Sequence, residues 1–258
     1  MNRDLPLSIW WNWYSKALFI LACFWKPGTD NLQKENSQSM YCFLTSLFKL
    51  LPNEHIRRYT QDFLNCEPYV IELLKDELRS FFYTYPNTLQ SLELCKNNKT
   101  ITHPFLTICL KDSHSLFVFL YLYQSFILIY HNKQGHNIQI PHYTQMLELY
   151  NINKLNKYDW GRPLWYILHT VSLYGPSDMV YSFKEYKQML TCLQYLLPCV
   201  KCRTHLSENL TKINLDTCGR TKQDLFKCSW ELHNIVNKDT NKPVLSFTEA
   251  LAIYQYQY

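Results

Sequence analysis

Between its prolines this chain runs in long apolar stretches that recur at helical spacing, and only five glycines interrupt its 258 residues. Alternating runs of β-branched residues, the mark of half-buried strands, are scarce. A chain so poor in glycine and so regular in helical period is expected to fold as an all-α protein. Twenty tyrosines and fourteen phenylalanines supply a large core. The length allows one large domain or two small ones. The formal charge of +5 is spread along the chain with no basic block, so nucleic acid is not an expected partner. Residues 9–25 are apolar but broken by Asn12, Ser15 and Lys16. The run 116–130 is shorter than the ~20 residues a bilayer span needs. Both are read as buried helices, so membrane contact is not expected, and no signal peptide is evident.

Ten cysteines are many for this length but too few for a disulfide scaffold. One pair alone has C-x-x-C spacing, in LLPCVKCRTHL at residues 196–206. Structural zinc needs four ligands, usually in two close pairs, and His205, Cys218 and Cys228 lie at spacings that match no zinc pattern. No metal ligand set is assigned, and a zinc module stays as an alternative. Pro198 suits a first helical position, which places Cys199 and Cys202 at a helix start. The positive end of the dipole, with Lys201 and Arg203, favours thiolate there. That is the environment of a redox dithiol. The flanks have helical period, not the βαβ pattern of a thioredoxin.

Two helical stripes flank the dithiol. In WGRPLWYILHTVSLYGP (160–176), Arg162, Trp165 and His169 share one helix face. In SWELHNIVNKDTNKP (229–243), Trp230, His233 and Asn237 repeat the spacing. Two amphipathic helices with tryptophan in the core would give the same pattern. Two matching stripes around a C-x-x-C also suit a planar cofactor: an isoalloxazine needs flat apolar walls and edge partners, and Lys238 or Lys242 could serve phosphates.

The order W-G-R-x-x-W-x-x-L-H-T, P-C-x-x-C, W-x-x-H-N-x-V-N-x-x-x-x-K-P resembles the Erv/ALR flavin-dependent sulfhydryl oxidases. The matching residues are Trp160, Gly161, Arg162, Trp165, Leu168, His169 and Thr170, then Pro198, Cys199 and Cys202. Trp230, His233, Asn234, Val236, Asn237, Lys242 and Pro243 complete the pattern, over residues 158–245. The resemblance implies an Erv/ALR-like helical bundle that binds FAD, with Cys199 and Cys202 catalytic. It implies oxidation of thiol-containing protein substrates, with Cys199 the attacked sulfur and Cys202 nearer the flavin. Molecular oxygen would take the electrons and hydrogen peroxide would leave. It also implies a homodimer. The alternative reading is a non-enzymatic helical interaction protein.

The first 150 residues carry a weaker echo of the rest. LLPNEHIRRYTQDFL (50–64) aligns with LLPCVKCRTHLSENL (196–210), with Asn53 and Ile56 in place of the two cysteines. WNWYSKALFILACFWKP (11–27) aligns with 160–176, and SLFVFLYLYQSFI (115–127) with DLFKCSWELHNIV (224–236), Gln124 replacing His233. Residues 1–150 are therefore expected to be a degenerate module packed as a pseudo-dimer on an active module of 151–258. Quiescin-type oxidases are similar in having such a pair, and the baculovirus-type sulfhydryl oxidases are similar in plan. On that likeness the protein is expected to be viral, in host cytoplasm or nucleus, or with the virion. No second C-x-x-C is present; Cys218 is a candidate shuttle thiol or a partner for Cys228, and Cys66 could pair with Cys95.

Overall fold

The computed structural model describes residues 4–27, 31–96, 98, 100–156 and 159–255. It has no strand among those residues, so the all-α expectation holds. The helices in chain order are α1 (Leu7–Phe24), α2 (Asn31–Lys49), α3 (Glu54–Leu64), α4 (Pro68–Glu77) and α5 (Arg79–Thr84). Next come α6 (Pro86–Lys96), α7 (Pro104–Cys109), α8 (Ser113–Lys133) and α9 (Tyr143–Leu149). The C-terminal set is α10 (Gly161–Tyr174), α11 (Met179–Leu196), α12 (Val200–Thr211), α13 (Lys222–Asp239) and α14 (Phe247–Tyr254).

The chain divides into two compact units. The first comprises Met1–Ala17, Cys42–Glu54 and Lys157–Tyr258; the second comprises Leu18–Tyr41 and His55–Asn156. The chain changes unit four times, the last after Asn156, and two N-terminal segments group with the C-terminal one. Buried polar contacts account for this. The Tyr14 hydroxyl meets Thr170 Oγ1 at 2.9 Å, and the Tyr166 hydroxyl donates to the Ile9 carbonyl at 3.2 Å. Glu185, 3% exposed, accepts from Ser46 Oγ at 2.9 Å and from Lys49 Nζ at 3.0 Å.

In the second unit α8 is the core. It is 21 residues long and apolar enough by length and composition to cross a membrane, yet it is buried from Leu116 to Ile129. Asp112 caps its start by accepting the Ser115 N–H at 2.7 Å. Phe63 and Phe119 pack edge to face at 5.4 Å between ring centres, and Phe81 packs on Tyr143 at 5.1 Å.

In the first unit α10 and α13 pack along their length. Their starts and stops are set locally. Thr221 caps α13 through the Asp224 N–H at 3.0 Å, with Asp224 itself favourable at the positive helix end. Asp178 caps α11 through the Tyr181 N–H at 3.0 Å. Gly175 ends α10 where a Cβ would sit 2.6 Å from the Val171 carbonyl oxygen, so no larger residue fits without a shift. Replacing Glu185 with alanine leaves the fully buried Ser46 hydroxyl without its acceptor. Glu185→Ala is expected to cost about 1–3 kcal/mol in urea denaturation, with Glu185→Gln costing less.

Candidate active site

Val200 opens α12 and Cys199 is its N-cap, so Pro198 lies two residues before the first helical position expected for it. With extended backbone at Cys199, its sulfur accepts the Cys202 N–H at 3.3 Å. The C-x-x-C spacing is thus the N-cap to N3 spacing, the reach over which a capping side chain meets an unpaired helical N–H. The N–H groups of the first turn put positive potential at Cys199, which favours a thiolate. Lys201 is exposed, and Arg203 donates to the Tyr195 carbonyl at 3.4 Å.

Beside Cys202 opens a cavity of about 500 Å³. Cys199 is outside its lining and Cys202 inside it. Trp160, Gly161, Arg162 and Trp165 reach it from the start of α10, and His233, Val236 and Asn237 from α13. Leu164, Leu168, Leu193, Leu197 and Leu206 make apolar walls; His205, Thr240, Lys242 and Tyr254 complete it. The Trp165 and His233 rings lie face to face, 4.1 Å apart and 7° from parallel, giving a flat wall.

His169 stands behind this wall, 1% exposed, and does not line the cavity. Its Nε2 is 2.9 Å from His233 Nδ1, and its Nδ1 is hydrogen-bonded to Ser229 Oγ. Burial pushes the His169 pKa far below its usual range, with His233 adding to the effect. His233 is lowered to about 4, first by burial and then by the nearby Lys242 cation. Both rings are therefore neutral at pH 7. A neutral imidazole donates at one nitrogen and accepts at the other, so the Ser229–His169–His233 chain carries its protons in one sense. His233 Nε2 remains for a ligand. So does Trp160 Nε1, which is buried without a partner among the described residues. A cavity with apolar walls, one stacked aromatic face and an orphaned buried donor at its edge fits a flavin.

A sequence model of the Erv1/Alr family matches residues 162–257. An African swine fever virus protein named FAD-linked sulfhydryl oxidase is 32% identical over 98 residues, which is 37% of this chain and 80% of that protein. The chain belongs to the Erv1/Alr family. It is also 33% identical over 94 residues to "Probable FAD-linked sulfhydryl oxidase R368" of Acanthamoeba polyphaga mimivirus, 36% of this chain and 66% of the relative. It is 25% identical over 91 residues to a rice FAD-linked sulfhydryl oxidase, 35% of this chain and 46% of the relative. The chain thus spans just under two thirds of the mimivirus relative and under half of the rice one. No solved structure matches it significantly.

Not every family-pattern residue lines the cavity. Trp230 Nε1 and Asn234 Nδ2 both donate to the Leu245 carbonyl at 2.8 Å, and the Leu245 N–H returns to Asn234 Oδ1 at 3.3 Å. Both side chains clamp the segment after Pro243 and so position α14, whose Tyr254 reaches the cavity. Lys238 is exposed and outside the lining; Lys242 is inside it. The end of α13 explains the difference. The Lys242 N–H bonds the Asn237 carbonyl at 2.8 Å and the Asn241 N–H bonds the Lys238 carbonyl at 3.2 Å, with Asn241 at φ 54°. This Schellman turn swings Lys242 back to the cavity.

Cys218 and Cys228 form a buried disulfide, so of the two expectations for Cys218 the structure shows the pairing with Cys228. Cys192 lies against Cys42, its pKa pushed up to about 12, chiefly by burial. Among the described residues no three His, Cys, Asp or Glu side chains gather into a cluster able to hold a metal ion.

The neutral His233 has a measurable consequence. Its folded pKa lies below the ordinary 6.5, so between pH 6.5 and about 4 the unfolded chain binds a proton that the folded chain refuses. Stability is full above pH 6.5 and is lost as pH falls toward 4, by up to about 3 kcal/mol. Denaturation midpoints across this range should show the slope, to which the buried His169 also contributes, and His233→Phe should remove the His233 share of it.

Proposed function

We propose that this chain is an FAD-dependent sulfhydryl oxidase that forms disulfides in protein substrates. The observation that carries the reading is Cys202 in the wall of a cavity faced by the stacked Trp165–His233 pair, with Cys199 outside that cavity as the N-cap of α12. In this reading FAD, when bound, supplies the two-electron acceptor that passes electrons to molecular oxygen with release of hydrogen peroxide.

The chain's residues would do the rest. Trp165 and His233 form the flat wall, Trp160 Nε1 and His233 Nε2 offer edge partners, and Arg162, Asn237 and Lys242 offer polar contacts toward the phosphates. A substrate thiolate attacks Cys199 Sγ of the Cys199–Cys202 disulfide, and Cys202 leaves as thiolate into the cavity wall. A second substrate thiol attacks the mixed disulfide. Cys199 is then released as thiolate, stabilised by the Cys202 N–H and the positive helix end. The substrate has lost two electrons and the dithiol has gained them.

The family relatives named above support the activity. The helices on which the aligned windows fall support a degenerate first copy: α1 with α10, α3 with α12 and α8 with α13, in the same order. Cavity residues all come from Trp160 onward. Self-association and a place in the host cytoplasm, nucleus or virion of a virus complete the proposal.

Cys199→Ser and Cys202→Ser should each lower oxygen consumption with dithiothreitol by roughly a thousand-fold or more while the protein stays yellow. Loss of flavin from both variants would make the pair structural. Separately, His233→Ala should weaken FAD retention about tenfold, read by equilibrium dialysis; unchanged retention would remove His233 from the ring's surroundings.

A further inference from the structure

Arg162 lines the cavity from the first turn of α10. It is exposed, and it makes no hydrogen bond or ion pair among the described residues. The start of a helix is an unfavourable place for a cation, because the first-turn N–H groups put positive potential there. An arginine side chain also has many rotamers to lose when it is ordered. Something must therefore keep this one at the cavity.

What holds it is an aromatic face. The guanidinium carbon lies 5.1 Å from the centre of the Trp13 ring, within reach of cation–π attraction. Trp13 is in turn stacked on Tyr166, with 5.5 Å between ring centres and 28° between planes. The Tyr166 hydroxyl donates to the carbonyl of Ile9, one turn before Trp13 on α1. One turn further along α10, Thr170 Oγ1 meets the Tyr14 hydroxyl. Arg162, Tyr166 and Thr170 follow each other at one-turn spacing on α10, as Ile9 and Trp13 do on α1, so each set shares a helix face. The two faces are matched turn for turn, and Trp13 falls against both Arg162 and Tyr166 as a result. Trp13 does not itself line the cavity, and it lies outside residues 162–257, the stretch that the family model matches.

We propose that Trp13 is a positioning residue for the cofactor: its ring holds the Arg162 guanidinium at the cavity, ready to pair with the phosphates of a flavin dinucleotide. The inference rests on the flavin reading above and adds to it a residue of the N-terminal helix. A guanidinium is a planar fork of donors that matches phosphate oxygens. Set in place beforehand, it pairs at less entropic cost than one that must be ordered on binding. Trp13 thus acts on affinity for the dinucleotide through Arg162, and has no part in the stacked wall or the dithiol.

The test is FAD binding by the full-length protein, measured by equilibrium dialysis for the parent, Trp13→Leu, Trp13→Tyr, Arg162→Ala and the double variant Trp13→Leu/Arg162→Ala. Trp13 is half-buried, so leucine keeps apolar cover on Tyr166 while removing the π face, and tyrosine restores that face. Trp13→Leu should weaken FAD binding about fivefold, and Trp13→Tyr should stay within about twofold of the parent. In the Arg162→Ala background, Trp13→Leu should cost nothing further, because the ring acts through the guanidinium. Equal losses from Trp13→Leu with and without Arg162 would show that Trp13 supports the fold and not the arginine, and would overturn the proposal. Unchanged FAD affinity in Trp13→Leu, or a tyrosine variant as weak as the leucine one, would overturn it equally. A parent that binds no FAD would end the flavin reading and this inference with it; a parent that binds FAD while the variants fail these expectations would end this inference alone.

Discussion

The hydrogen bond between His169 and His233 is the contact on which the site is built. It ties α10 to α13, is continued by Ser229 on one side, and is covered by the Trp165 ring on the other. Burial keeps both rings neutral. Charged, they would repel across 2.9 Å in a medium that screens poorly. Neutral, they make a directional chain that fixes the tilt of His233 and with it the plane of the stacked wall. The apolar side of the cavity and its few polar edge groups follow from this one alignment of two helices.

The dithiol is placed by a different local rule. A helix start leaves N–H groups unsatisfied, and Cys199 satisfies one of them with sulfur. Capping therefore sets the separation and direction of the two thiols: Cys199 outside the cavity and Cys202, at N3, in its wall. One sulfur can meet a bulky partner while the other stays beside a buried ligand, a division of labour that needs no moving part in α12.

How much of this was legible in the sequence depended on the range of the interaction. The stripes of Trp165 with His169 and of Trp230 with His233 were readable because helical period alone puts them on one face. The all-α class and the burial of α8 were readable for the same reason. Trp230 and Asn234 share the family pattern, but their bonds go to Leu245, and nothing in helical period tells a wall residue from a clamp. Leu193, Leu197 and Tyr254 carry no local signal beyond being apolar or aromatic. Pro198 pointed to a helix start, yet the cap fell on the cysteine after it. The grouping of residues 1–17 with the C-terminal helices rests on contacts such as Tyr14 to Thr170, which periodicity does not encode. The Cys218–Cys228 spacing allowed a bridge without selecting it.

The central claim is that this chain holds a flavin beside its C-x-x-C pair. The visible absorbance spectrum of the purified full-length protein tests it most directly, taken after gel filtration and again after anaerobic dithiothreitol. The account predicts a flavin spectrum that survives the column and bleaches on reduction. A colourless protein that stays colourless after incubation with FAD would contradict it.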